Sequence, residues 1–89
     1  MENRVIDTLV DAINKWGIEV QTDMAIEEMS ELIVAINHYR RGRVGIDAVQ
    51  EEIADVWIVI HQMALMYGND VVEAIYREKI KRLECRLKH

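Results

Sequence analysis

Two acidic clusters hold the residues of this chain best suited to chemistry: Glu27-Glu28-Met29-Ser30-Glu31 and Glu51-Glu52-Ile53-Ala54-Asp55. On a helical wheel of about 100° per residue with Glu28 at its zero, Gln21, Met24, Leu32, Ala35, Ile36 and Tyr39 fall on the same side, and Glu31 lies about 60° away at the stripe's edge. A second wheel with Glu52 at zero gathers Val49, Val56, Val59, Ile60 and Met63. Asp55 then takes the edge position that Glu31 held. Two helices therefore carry acids three residues apart in the same phase relative to their apolar stripes. Carboxylates on core-facing sides are costly unless a cation or hydrogen bonds neutralise them.

Acids at i and i+3 on facing antiparallel helices can bring four carboxylates together. An oxygen-only donor set, completed by water or phosphate, suits a hard cation such as Mg²⁺, with Mn²⁺ as a substitute. Softer metals want His or Cys at ligand spacing. Cys85 is remote in sequence, and neither His38 nor His61 stands three residues after an acid. The Glu-x-x-His pairs of di-iron bundles are thus missing. A single Glu-x-x-Glu would read as a solvated helix face making local ion pairs. Two phase-matched pairs inside apolar stripes read as a cation site.

The elements that must position these acids are helical throughout. Val5, Ile6, Leu9, Ile13 and Trp16 form the stripe of a first helix that Gly17 can end. A second helix is predicted from Gln21 or Thr22 to Arg40, followed by a loop over Arg41–Ile46 with glycines at 42 and 45. Asp47 with Gln50 reads as a capping box opening a third helix that runs to Tyr67, with Gly68 closing it. Asp70 with Glu73 reads as another, opening a fourth helix to the C-terminus, with Asn69 as the alternative cap. Short connections predict an all-α antiparallel four-helix bundle forming one domain over residues 1–89. Ala54, Ile58, His61 and Leu65 give the third helix a second, largely apolar face, which predicts contact with another subunit.

Bulk properties agree with that outline. The 89 residues are 51% hydrophobic with no proline and no phenylalanine. A chain this short buries only about 60–65% of its unfolded surface, so self-association into a homodimer or tetramer is expected. Four of its acids supply −4 of the formal net charge of −5, which focuses the excess at one place. A focused negative site attracts cations and argues against unaided nucleic-acid binding. One cysteine, no signal-peptide pattern and no long apolar run predict a soluble cytoplasmic protein with no membrane partner.

Glu27-Glu28-x-x-Glu31, twenty residues, then Glu52-x-x-Asp55 resembles the signature of the all-α NTP pyrophosphatase superfamily, specifically its short MazG-like members. The resemblance covers roughly residues 17–87 and includes Gln21 ahead of the first motif, Leu32 and Ala35 after it, and a closing Lys/Arg-rich amphipathic helix. It implies Mg²⁺-dependent hydrolysis of a nucleoside triphosphate to the monophosphate and pyrophosphate, in a helical dimer or dimer of dimers. By motif position it implies Glu28, Glu31, Glu52 and Asp55 as metal ligands, with Glu27 orienting water. Phosphoribosyl-ATP and dimeric dUTP hydrolases are the nearest rivals, and the latter are larger.

Several residues carry two readings. Lys79 and Arg82 on the last helix are candidates for phosphate contact, where the family tends to place basic residues. Lys81 is assigned to a different face. Arg77, Glu78, Lys81 and Glu84 can form ordinary i,i+3 and i,i+4 pairs. Gln21 shares Glu28's face and could contact nucleotide, or simply begin its helix. Arg40, Arg41 and Arg43 suit a helix C-terminus. Trp16 and Trp57 could stack on a base but read better as core or interface residues, and Met24, Met29, Met63 and Met66 as core filling. His38 and Tyr39 read as packing or rim residues. The alternative function is a non-catalytic helical adaptor whose acids bind a structural cation or a basic partner. It gives no reason for carboxylates inside an apolar stripe.

Overall fold

The computed structural model describes residues 1–89 as four helices and no strands: α1 (Asn3–Trp16), α2 (Ile18–Arg40), α3 (Ile46–Tyr67) and α4 (Asn69–Lys88). A chain without proline keeps a backbone donor at every position, so no missing donor breaks an i→i−4 ladder. Breaks occur only at glycines and in the 41–45 loop.

Gly17 is the one residue between α1 and α2. Its φ of 89° is a conformation that a Cβ would penalise. Its N–H donates to the Ile13 carbonyl at 2.8 Å, and its own carbonyl accepts from the Gln21 N–H at 3.1 Å. One glycine thus ends α1 and starts α2 without a linker. That is why α2 begins at Ile18 and not at Gln21 or Thr22. Gly68 does the same between α3 and α4, with φ 117°, a bond to the Ala64 carbonyl and one from the Val72 N–H, both 3.0 Å.

Neither expected capping box forms. The N-cap of α3 is Gly45 and that of α4 is Gly68, and neither helix start has a side-chain cap bond. Asp47 and Asp70 instead occupy the second helical position of their helices. There an acid still opposes the positive end of the helix dipole. Asn69, the alternative cap, is the first residue of α4.

The packed part of the molecule is α2 against α3. Helix α1 touches both, and α4 touches α3 alone. A hydrogen bond of 2.9 Å between the Thr22 and Tyr67 hydroxyls ties the first turns of α2 to the last turn of α3. Only Leu9, Gln21, Ala25, Val59 and Gln62 are buried, and α4 contributes none of them. Met24, Trp16 and Trp57 are exposed, so these three are not core residues in this chain; Met29, Met63 and Met66 are partly buried. The radius of gyration is 15.7 Å, against about 12 Å for a compact chain of this length. No helix is long and apolar enough to cross a membrane.

Candidate metal centre

Helix α2 carries Glu28 and Glu31 one turn apart, and α3 carries Glu52 and Asp55 with the same spacing. Because these two helices are the packed pair, their acids meet. Carboxylate oxygens of Glu28, Glu31 and Glu52 lie within 4.8 Å of one another. Asp55 stands outside that trio, yet its charge acts on both Glu28 and Glu52. Glu28, Glu52 and Asp55 are partly buried and Glu31 is exposed.

No cation of the protein neutralises this group. The chain's one ion pair, Arg77 with Glu73 at 3.5 Å, lies on α4. Glu28 Oε2 and Glu52 Oε2 are both buried without a hydrogen-bond partner. Buried polar atoms are nearly always satisfied, so two orphaned carboxylate oxygens in one cluster mark a place short of positive charge. The electrostatics agree. Burial pushes the Glu28 carboxyl above its ordinary value, and Glu31, Asp55, Glu52 and Glu27 push it further. Burial likewise raises Glu52, with Glu31, Asp55 and Glu51 adding to it. Desolvation and like-charge repulsion both disfavour the ionised form, and a bound cation would relieve both. Oxygen donors alone, some of them buried, fit a hard divalent ion.

Two cavities flank the cluster. One, of about 430 Å³, is bordered by Glu27, Ser30, Glu31, His38, Glu51 and Glu52. Glu27 therefore sits beside the trio but outside it, and His38 is a rim residue as expected. Glu51 belongs to the second acidic cluster of the sequence, where it was given no role of its own. Its position one residue ahead of Glu52 mirrors that of Glu27 ahead of Glu28, which is the signal that could have found it. The other cavity, of about 240 Å³, includes Glu28 and Asp55 together with Gln21, Gln62 and Trp16. Gln21 thus joins the site from the predicted face, and Trp16 lines this cavity instead of packing in a core.

Lys79 and Arg82 are exposed and border a groove made by α4 alone, with Lys81, Cys85 and Arg86. Neither cavity beside the acids includes them. Within one chain the basic candidates are not brought to the acidic cluster. Lys81, expected on a different face, borders the same groove as the other two. Comparison of the chain with protein-family models, with curated proteins and with solved structures finds no match.

Proposed function

We propose that the chain is a divalent-cation-dependent nucleoside triphosphate pyrophosphohydrolase of the MazG-like kind. The observation that carries this reading is the convergence of Glu28, Glu31 and Glu52 within 4.8 Å, with buried, unpartnered oxygens on two of them. A solvated acidic face would leave those oxygens in water. In this reading Glu28, Glu31, Glu52 and Asp55 hold Mg²⁺, or Mn²⁺ in its place. The bound ion would reverse the local sign of charge, so that a triphosphate can approach, and would stabilise charge developing on its phosphate oxygens. Glu27, beside the trio, would accept a hydrogen bond from the attacking water and orient it. Cleavage between the α- and β-phosphates is carried over from the family resemblance.

The reading includes self-association. Trp57 and Ile58 are 65% and 52% exposed, and they line a groove of about 510 Å³ whose walls are almost wholly apolar, with Met1, Val5, Leu9 and Ala54. A contiguous apolar face of this kind calls for a cover, and α4 is left touching only one helix. A homodimer or tetramer, antiparallel helix against antiparallel helix, would supply both. It would also allow Lys79 and Arg82 of one chain to meet phosphates held by another, which they do not approach within their own chain.

The test is a panel of NTPs and dNTPs incubated with the protein and Mg²⁺, with detection of pyrophosphate. Release that stops in EDTA, and that falls by several powers of ten in Glu28→Gln or Asp55→Asn, is the expected result. Cation binding without hydrolysis of any triphosphate would return the adaptor reading. Full turnover in chelator would remove the metal from the site.

A further inference from the structure

Helix α4 has the pattern of a helix that is covered, and its own chain does not cover it. On a wheel of about 100° per residue, Val72, Tyr76, Ile80, Leu83 and Leu87 fall within about 80° of one another. Such a stripe ordinarily faces a core. Here all five residues are exposed, α4 buries nothing, and it touches α3 alone. Gly68 is the single residue joining α3 to α4, and helices joined so briefly usually pack side by side and antiparallel. The groove where a fourth helix would lie against α1 and α3 is instead open, with Val5, Leu9, Ala54, Trp57 and Ile58 along it. The lengths agree: α1 has 14 residues, about 21 Å, and the stripe from Val72 to Leu87 runs about 22 Å.

Charge matches as well as shape. Helix α3 has four acids and no Lys or Arg. Asp47 and Glu51 share the angular position of Ile58 to within about 20°, so the groove's face continues into two carboxylates toward the start of α3. On α4, Lys79 and Arg86 flank one side of the stripe. Glu73 and Glu84 flank the other, and Arg4 on α1 borders the cavity adjoining the groove. From Arg77 to Lys88 six cations stand against two acids, so that segment carries +4 and, the whole chain being −5, the remaining residues carry −9. The exposed area points the same way. The chain exposes 7171 Å², against about 5,400 Å² for a compact monomer of 10.4 kDa. The excess of about 1,800 Å² lies within the roughly 1,000–2,500 Å² that each chain of an obligate homodimer buries.

We propose that α4 is an exchanged arm. The α4 of each copy lies antiparallel to α3 in the α1–α3 groove of a second copy, and the exchange is reciprocal, so two chains close on each other with no free arm and no open groove. The basic second half of α4 then lies toward the acidic first half of the partner's α3. An arm that kept to its own chain would touch α1 as well as α3, and this one does not. The inference rests on the self-association included in the reading above and names the element that carries it; hydrolysis plays no part in its test.

The test uses light scattering at micromolar concentration on wild type and two variants. Leu83→Asp charges the arm and Ile58→Asp charges the groove. Each alone should lower the mass from at least a dimer to 10.4 kDa, because the new charge would be buried. An equimolar mixture should recover a dimer, since the first variant keeps a sound groove and the second a sound arm, which leaves one of the two contacts intact. A Leu83→Asp protein as large as wild type means that copies meet groove to groove, and it overturns the arm while self-association stands. A monomeric wild type overturns both. A mixture that stays monomeric, with both variants as helical as wild type, overturns the exchange. Hydrogen exchange on wild type decides the matter if either charge unfolds its chain. Backbone amides from Tyr76 to Leu87 should exchange slowly in the oligomer and faster on dilution. Fast exchange at every concentration shows an uncovered α4, and slow exchange in a monomer shows an arm closed on its own groove; either result overturns the proposal.

Discussion

Removing and restoring the cation should change the stability of the protein in a direction set by pH. Glu28 and Glu52 have carboxyls raised above their ordinary value of 4.5. Between that value and the raised one, the folded state holds more protons than the unfolded chain, so stability falls as pH rises through the window. This is opposite to the familiar case of a salt-bridged acid. The metal-free protein should therefore melt higher at about pH 5 than at about pH 7.5, and that slope should shrink in Glu52→Gln, which removes one of the two raised carboxyls and one of the charges acting on the other. Mg²⁺ reverses the balance, because the ionised carboxylates are its ligands and its affinity grows as they deprotonate. At a free concentration one hundred times Kd, ligation of the folded state alone adds about 2.7 kcal/mol. A domain of this size gains about 4–8 °C per kcal/mol, so the melting temperature at neutral pH should rise by on the order of 10 °C. Differential scanning calorimetry in EDTA and in Mg²⁺, at both pH values, reads all of this. A metal-free protein that is most stable at neutral pH and indifferent to Mg²⁺ would mean that the acids are a solvated face. Na⁺ at equal ionic strength controls for screening, which acts on any cluster of like charges.

Two further outcomes follow from how the chain exposes its surface. Ile58→Asp places a charge in the apolar groove of α1 and α3, so it should dissociate the oligomer or unfold it; a wild-type protein that is monomeric by light scattering at micromolar concentration would refute the interface. Lys79→Ala or Arg82→Ala should lower kcat/KM by about tenfold or more, roughly 1.4 kcal/mol of transition-state stabilisation, with little change in melting temperature, since neither residue is paired within the chain. Turnover equal to wild type in both variants would move the phosphate contacts elsewhere, with Arg40, Arg41 and Arg43 next in line.

What the sequence made legible is whatever a single helix determines. Phase alone put Glu28, Glu31, Glu52 and Asp55 on the seam, because the angle between residues on one helix is set by the backbone and survives any packing. What periodicity could not supply is translation. It could not tell that Asp55 stands outside the 4.8 Å trio, since that depends on how far α3 slides along α2. Nor could it tell that the helices begin at Gly17, Gly45 and Gly68. The local Asp-x-x-Gln and Asp-x-x-Glu patterns promise caps, but the glycines provide backbone turns that leave the aspartates one step inside. Burial was the least legible property. The wheels place Met24 and Ile36 on one apolar stripe and Val59 on the other, yet the first two are 44% and 39% exposed while Val59 is 4% exposed. Ala25 on α2 is fully buried, while larger apolar residues of the stripe lie at the margin of the packed pair. In one chain that margin is solvent; in an oligomer it would be the next subunit.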